Sequence, residues 1–243
     1  MMVQTSTMSI IEMGFEDMDH KDFQPTEQSL YFGQDLSNQY VHSKFLAERA
    51  VLEAVAENGL TTKIMRYGNL APRYSDGEFQ ANFKTNSAMG ELRAYAILGC
   101  APFDELDKVN EFSPIDMVAK ATVALSRTPE NCTVFHVITD QYIAMAHIFN
   151  EMSNAGIPIR FVDMENFEKA FEAAKGDPKK VKLMTSLMAY NQGSNERKRI
   201  VFDMNREYTL QILYRLGFVW PITSGEYLHR FMVALEGLNY FEN

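Results

Sequence analysis

A strand, a helix and a second strand follow one another within the first 70 residues, and this order constrains the fold more than any other feature of the sequence. Residues 3–11 are rich in Thr, Ser and Ile, which predicts a buried strand. Residues 38–58 carry apolar side chains at helical spacing and are followed by a glycine, which predicts a helix with a glycine stop. Residues 60–70 predict a second strand that ends in a Gly-Asn turn. This βαβ order predicts a parallel sheet with a right-handed crossover.

The rest of the chain is predicted to contain one more strand and many helices. Residues 12–37 are polar and predict a long surface loop, and residues 71–110 predict a loop-rich stretch that is weakly helical over residues 82–96. We therefore expect an α/β fold, with the sheet in residues 1–140 and a mainly helical region in residues 141–243. A strand is predicted over residues 133–139, and helices over residues 115–126, 143–154, 165–174, 178–190, 206–216 and 224–238.

Charge and cysteine content exclude several classes of protein. The formal net charge is -9, and a nucleic-acid partner is not expected because phosphate binding needs a basic face. The longest apolar stretch, residues 94–103, is far shorter than the roughly 20 residues that cross a bilayer. Cys100 and Cys132 are too few for a disulfide framework, and the five histidines show no metal-ligand spacing, so we expect no metal site and a cytoplasmic location.

Tyr40 and Lys44 form the pair that is best suited to chemistry. They lie four positions apart on the first predicted helix, so their side chains share one face. An ammonium group held there stabilises a phenolate, which makes the tyrosine a usable general acid or base. A solvated helix face with a tyrosine at the edge of the core is the alternative, because the spacing alone occurs often by chance.

The setting of this pair strengthens the functional interpretation. Ser6, Thr7 and Ser9 lie in the strand before the helix, and the turn at Gly68 and Asn69 follows the next strand. Ligands in open parallel sheets bind at the carboxyl ends of the strands, so we expect these groups to converge there.

At these positions the sequence resembles a known family, the extended short-chain dehydrogenases/reductases. It is most similar to the thioester reductase domains that end some nonribosomal peptide and polyketide synthetases and carboxylic acid reductases. The matching residues are Thr7 in STMSI, Tyr40 and Lys44 in YVHSKFLAE, RYGNLAPRYSDGEF from Arg66, the Ser-Pro-Ile-Asp-x-x-Ala segment from Ser113, and LGFVWPITSGEYLHRF from Leu216.

The resemblance implies both a fold and an activity. The fold would be the C-terminal half of a Rossmann-type parallel sheet with a mainly helical substrate-binding region. The activity would be reduction, by NADPH or NADH, of an acyl or peptidyl thioester on a phosphopantetheinylated carrier domain, with release of an aldehyde or an alcohol. Tyr40 would donate the proton, Lys44 would lower its pKa and bind the nicotinamide ribose, and Thr7 would bind the carbonyl oxygen. Gly68 and Asn69 would border the nicotinamide, although a simple strand-ending turn is an equal alternative.

The sequence departs from the family in one respect. Such reductases hold the dinucleotide pyrophosphate on a glycine-rich turn after their first strand, and no such spacing occurs here. We therefore expect a chain that corresponds to the C-terminal portion of a reductase, with weak cofactor binding and little turnover by itself. An unpaired sheet edge would favour a homodimer.

Other interpretations stay open at this point. A nucleotide-sugar epimerase or dehydratase shares the superfamily, and a non-catalytic module that only binds the carrier would need no cofactor. Asn82 and Asn86 are candidates to face substrate, with a surface loop as the alternative. Two basic clusters are candidates to dock an acidic carrier, with solvated surface as the alternative: Lys179, Lys180 and Lys182, and Arg197, Lys198 and Arg199.

Overall fold

The structure is a computed structural model that describes residues 1–12, 24–79, 87–129, 131, 133–184 and 205–241. Its strands are β1 (Met2–Thr7), β2 (Thr62–Tyr67), β3 (Leu70–Ala71), β4 (Cys100–Pro102), β5 (Val109–Glu111), β6 (Ser113–Pro114), β7 (Val134–Val137), β8 (Tyr142–Ala144) and β9 (Arg160–Val162). Its helices are α1 (Ser9–Glu12), α2 (Gln39–Asn58), α3 (Ser87–Leu98), α4 (Ile115–Leu125), α5 (Met145–Asn154), α6 (Met164–Ala174), α7 (Pro178–Leu183), α8 (Glu207–Arg215) and α9 (Gly225–Gly237).

The chain divides into two units whose segments alternate along the sequence. The first unit consists of Met1–Leu70, Glu111–Asp140 and Lys198–Pro221. The second consists of Ala71–Asn110, Gln141–Arg197 and Ile222–Asn243. The chain therefore passes from one unit to the other five times, and one of these passages falls between residues 140 and 141.

The first unit is built on a parallel sheet with helices on both faces. Its strands lie in the order β1-β2-β7, and both pairings are parallel, so the predicted βαβ order and the predicted α/β class are confirmed. Arg66 of β2 contacts α2, whereas its neighbour Met65 packs in a cluster with Val118 and Leu125 of α4. Because successive side chains of a strand point to opposite faces, α2 and α4 cover opposite faces of the sheet.

Helix α2 begins and ends as its sequence predicts. The side chain of Asn38 accepts hydrogen bonds from the backbone N–H groups of Tyr40 and Val41, at 3.0 and 3.2 Å. Gly59 closes the helix with a φ of 64°, a conformation that glycine adopts without strain. The helix buries Val41, Phe45 and Glu48, and of these Glu48 is the one that apolar spacing could not indicate.

Several predicted element boundaries are wrong, among them the end of the first strand and the start of α5. The first strand ends at Thr7 and is followed by the short helix α1, because the hydroxyl of Thr7 accepts the N–H of Ser9 at 3.2 Å and turns the chain. The apolar side chains after the strand, those of Met8, Ile10 and Ile11, are nevertheless buried. The run of buried residues therefore extends from the end of β1 into α1. Helix α5 begins two residues later than predicted, after the short strand β8.

The second unit is mainly helical, but it also contains the parallel pair β4 and β9. Helix α3 covers part of the weakly helical stretch predicted over residues 82–96, whose first residues, with Asn82 and Asn86, lie outside the described residues. The loop before it is packed on α9: the Tyr227 hydroxyl donates to the carbonyl of Pro72 at 2.9 Å. A Cβ at Gly77 would lie 2.3 Å from the carbonyl oxygen of Arg230, so this contact requires glycine.

Candidate active site

Thr7 lies at the carboxyl end of β1, directly beside the end of β2. It is in register with Tyr67, and the next residue, Met8, donates its N–H to the Tyr67 carbonyl at 2.8 Å. The Thr7 side chain is nearly buried, and its hydroxyl donates to the Ser9 hydroxyl at 3.1 Å. The hydroxyl is therefore held in place at the edge of the sheet where ligands bind in folds of this kind.

Tyr40 and Lys44 lie in the first turns of α2. The Tyr40 side chain is 55% exposed, so its hydroxyl is accessible to a ligand. The Lys44 ammonium lies 5.9 Å from the centre of the Tyr40 ring and donates to the carbonyl of Thr5 at 3.4 Å. Lys44 thus connects the helix to β1 two residues before Thr7. The arrangement places the Lys44 ammonium beside both the Tyr40 ring and the last residues of β1.

The turn at Gly68 and Asn69 is shaped by a buried carboxylate. Glu111 accepts the N–H of Asn69 at 2.6 Å, and a Cβ at position 68 would lie 2.2 Å from the same carboxylate. The Ser113 hydroxyl donates to Glu111 and accepts the N–H of Thr139 at 2.8 Å. Glycine at position 68 therefore has a packing reason of its own, and the exposed side chain of Asn69 is the part of the turn that is open to a ligand.

Glu111 is the residue of this site that sequence reasoning missed. It lies 42 positions from Asn69, and its contact with the turn depends on tertiary structure. The available signal was weak: a single acidic residue directly before the Phe-Ser-Pro-Ile segment that starts at Phe112.

A buried ion pair holds α2 on the sheet, at a position that follows Tyr40 and Lys44 along the helix. Arg66 and Glu48 are both fully buried. The Arg66 Nε and Nη2 groups donate to the Glu48 carboxylate at 2.7 to 3.1 Å, which is a two-point contact. Arg66 Nη1 also lies 3.2 Å from Nε2 of His136. Because Glu48 is one helical turn from Lys44, this contact fixes the position of Lys44 relative to the sheet.

His136 is neutral in this network. Burial, and then the charge of Arg66, lowers the pKa of His136 to about 3. The carbonyl of Asn205 lies 2.8 Å from Nδ1 and can only accept, so Nδ1 carries the proton. Nε2 is then the acceptor that receives the Arg66 N–H.

The described residues hold no group of three or more His, Cys, Asp or Glu side chains that could bind a metal ion. Cys100 is buried, and burial raises the pKa of its thiol. None of the described helices is both long and apolar enough to cross a membrane.

Tyr40 and Lys44 of α2 carry groups that suit one end of a nicotinamide dinucleotide. An exposed phenol and an ammonium are donors for ribose hydroxyls, and both are present at Tyr40 and Lys44. The other end has no match, because the sequence lacks a glycine-rich turn for the pyrophosphate.

Comparison with known proteins gives a consistent assignment. Residues 2–122 match the NAD-binding family described as Male sterility protein. The thiolation-reductase di-domain of an archaeal nonribosomal peptide synthetase is 37% identical, with a TM-score of 0.84 over 99% of this chain and 49% of that chain. No curated protein matches the sequence.

Two further reductase domains share the fold. The reductase domain of the aureusimine biosynthetic cluster is 24% identical, with a TM-score of 0.79 over 98% of this chain and 60% of that one. The terminal domain of the myxalamid pathway is 22% identical, with a TM-score of 0.79 over 99% and 58%. The chain thus spans between about half and three fifths of the length of these relatives. It belongs to the extended short-chain dehydrogenase/reductase superfamily, and over almost its whole length it is similar to the reductase domain of a nonribosomal peptide synthetase.

Proposed function

We propose that this chain is the catalytic and substrate-facing portion of an NAD(P)H-dependent thioester reductase. Its reaction would be the reductive release of an acyl or peptidyl chain from a carrier domain, as an aldehyde or, after a second reduction, an alcohol. The observation that carries the proposal is the position of Lys44, whose ammonium lies beside the Tyr40 ring and is hydrogen-bonded to the end of β1.

Each residue of the site has a defined task in this reaction. A bound NADPH or NADH supplies the hydride that reaches the thioester carbonyl carbon. The Thr7 hydroxyl donates to the carbonyl oxygen as negative charge develops there. Tyr40 gives its proton to the same oxygen, which yields a thiohemiacetal, and the carbon–sulfur bond of that species then breaks to release the aldehyde and the carrier thiol.

Lys44 supports Tyr40 and would hold the nicotinamide ribose. Its ammonium favours the phenolate that Tyr40 becomes after it has given up its proton. Asn69, at the exposed turn after β2, would border the nicotinamide ring, and Gly68 lets the turn pass close to Glu111. The choice of NADPH over NADH depends on the adenosine end, for which this chain supplies no recognisable residues.

The carrier domain is the proposed partner. Lys179 and Lys180 are exposed on α7 and offer positive charge to an acidic carrier surface. The side chain of Lys182 and the cluster at residues 197–199 lie outside the described residues. Carrier affinity that is unchanged after charge reversal at Lys179 and Lys180 would contradict this docking surface.

Two expectations from the sequence remain proposals. Strand β1 lies at one edge of the described sheet, with Met2 and Val3 exposed, and this edge suits a homodimer or the pairing of a further strand. A reducing cytoplasm is the compartment that we propose from the low cysteine content.

The first test is a fluorescence titration of the purified chain with NADPH, with NADH as the comparison. The same titration is then made on a chimera in which the preceding half of the archaeal relative's reductase domain is fused in front of this chain. We expect weak binding by the chain alone, and both saturable binding and reduction of acyl-pantetheine thioesters by the chimera. A folded chimera that binds neither cofactor would contradict the proposal.

The exposed lysines of α7 would also serve a second candidate, a module that binds a carrier domain without catalysis. Stable carrier binding by both proteins, together with no cofactor binding by the chimera, would support this alternative.

A further inference from the structure

Arg93 is a buried arginine in the second unit with an unusual set of contacts. It lies on α3 and is only 7% exposed. Among the described residues, its Nε and Nη2 groups have no hydrogen-bond partner, and it belongs to none of the ion pairs. Its guanidinium carbon lies 5.0 Å from the centre of the Tyr240 ring.

The two groups without a partner are the same two that bind a carboxylate elsewhere in the molecule. Arg66 uses Nε and Nη2 to hold both oxygens of Glu48. These two N–H groups lie on one side of the planar guanidinium and match the spacing of two oxygens of a carboxylate or a phosphate. Arg93 presents the same fork, and within the described part of the chain no acceptor fills it.

The Tyr240 ring compensates for only part of the burial of this charge. A ring face attracts the positive charge, but it does not accept the N–H groups that point outward in the guanidinium plane. A buried ionic group is otherwise paired and hydrogen-bonded in folded proteins. Since no described residue supplies an acceptor, the fork of Arg93 is suited to the two oxygens of a bound oxyanion.

We propose that Arg93 binds an oxyanion of the carrier-borne substrate in a two-point contact. This inference rests on the proposed function, because that function brings to the protein the phosphate of the phosphopantetheine arm, together with any carboxylate that the attached chain carries. The shared chemistry is a pair of anionic oxygens. The residue would then contribute to substrate binding and not to the transfer of hydride or proton.

Calorimetric titration of the 243-residue chain with two matched ligand pairs tests the proposal. The first pair is 4′-phosphopantetheine and pantetheine, and the second is S-succinyl-pantetheine and S-butyryl-pantetheine. The wild-type chain should bind the anionic member of one pair about tenfold more tightly, as expected for a charge-assisted hydrogen-bonded contact. Preference within the first pair identifies the phosphate, and preference within the second identifies the carboxylate.

Three variants connect the preference to Arg93. Arg93→Met should abolish it, and Arg93→Lys, which keeps the charge but loses the fork, should reduce it. Arg160→Met is the matched control, because Arg160 is an exposed arginine of the same unit, and this variant should keep the full preference. Circular dichroism and thermal unfolding check that each variant folds.

The outcome does not depend on turnover, since no cofactor is present in these titrations. A wild-type chain with no preference in either pair would overturn the proposal without any variant. A preference that persists in folded Arg93→Met or is undiminished in Arg93→Lys would also overturn it. Loss of reductase activity in the chimera, with the anion preference intact, would contradict only the proposed reaction.

Discussion

Helix α2 takes part in two contacts that involve a positively charged side chain, and the two differ in burial, in partner and in the number of hydrogen bonds. At its start, Lys44 is partly exposed, lies beside an exposed tyrosine and makes one long hydrogen bond to a backbone carbonyl. One turn later, Glu48 is fully buried and bound at two points by Arg66 of β2. The first contact leaves its groups accessible to a ligand, whereas the second fixes the helix on the sheet.

The comparison predicts that the first contact serves the proposed function and that the second serves the stability of the fold. A buried ion pair is costly to break because the remaining charge has no water to solvate it. The partly exposed contact of Lys44 contributes little to stability, because water and salt screen its charge. Substitutions at the two sites should therefore separate activity from stability.

The largest expected effect is on activity. In the chimera, Tyr40→Phe should lower the rate of thioester reduction by about 10² to 10⁴-fold, the range for the loss of a general acid. The free energy of unfolding should change little, because the lost hydroxyl is exposed. Steady-state kinetics and denaturant unfolding measure the two quantities.

Tyr214→Phe is the matched control for this substitution. Tyr214 is an exposed tyrosine of the same unit, and its variant should keep full activity. Unchanged turnover in Tyr40→Phe would remove Tyr40 from the mechanism.

The next effect is on stability. Arg66→Met should lower the free energy of unfolding by about 3–5 kcal/mol, since it leaves the Glu48 carboxylate buried without its partner. Arg49→Met removes an exposed arginine of the same helix, whose ion pair with Glu53 spans 3.5 Å, and should cost less than about 1 kcal/mol. Chemical denaturation gives both values.

A double variant sharpens this result. Glu48→Leu combined with Arg66→Met removes both charges, so it should recover most of the lost stability. If Arg66→Met is no more destabilising than Arg49→Met, the ion pair does not hold α2 on the sheet.

The smallest effect depends on pH. His136 has a pKa of about 3 in the folded chain and an ordinary value of 6.5 in the unfolded chain. Between these values the unfolded state binds more protons, so the free energy of unfolding falls as the pH decreases below 6.5. The contribution of this one group between pH 6.5 and pH 5 is about 2 kcal/mol.

Denaturant unfolding at pH 7.5, 6 and 5 measures this slope. His136→Gln should flatten it, because glutamine does not titrate, while His42→Gln, at an exposed position of α2, should leave it unchanged. An equally steep slope in His136→Gln would show that another group is responsible.

Local patterns explain which parts of the fold could be predicted. Helix α2 was predicted to within a residue because Asn38 and Gly59 cap it and its apolar residues repeat at helical spacing. The boundary after Thr7 was missed because an apolar run through Met8 to Ile11 gives the same signal in a strand and in a buried turn. Strand β8 was missed because three residues are too few to show a period.

The candidate site, like the fold, was predictable only where it depends on residues that are close along the chain. The spacing of Tyr40 and Lys44 and the order of the elements around them indicated a ligand site at the carboxyl ends of the strands. Glu111 and the His136 network could not be found in this way, since their partners lie tens of positions away in the sequence. Whether Thr7, Tyr40, Lys44, Gly68 and Asn69 carry the chemistry stays a prediction for the experiments above.

The sequence by itself determined the order of strand, helix and strand, the caps of α2 and the family motifs, because each depends on residues that are close along the chain. The tertiary structure alone decided that Glu48 and Arg66 pair in the core and that Glu111 shapes the turn at Gly68. It also decided that Arg93 is buried with no acceptor for its Nε and Nη2 groups among the described residues. The physical reason is that burial and charge pairing are set by residues distant in sequence, and no local pattern records which of them will meet.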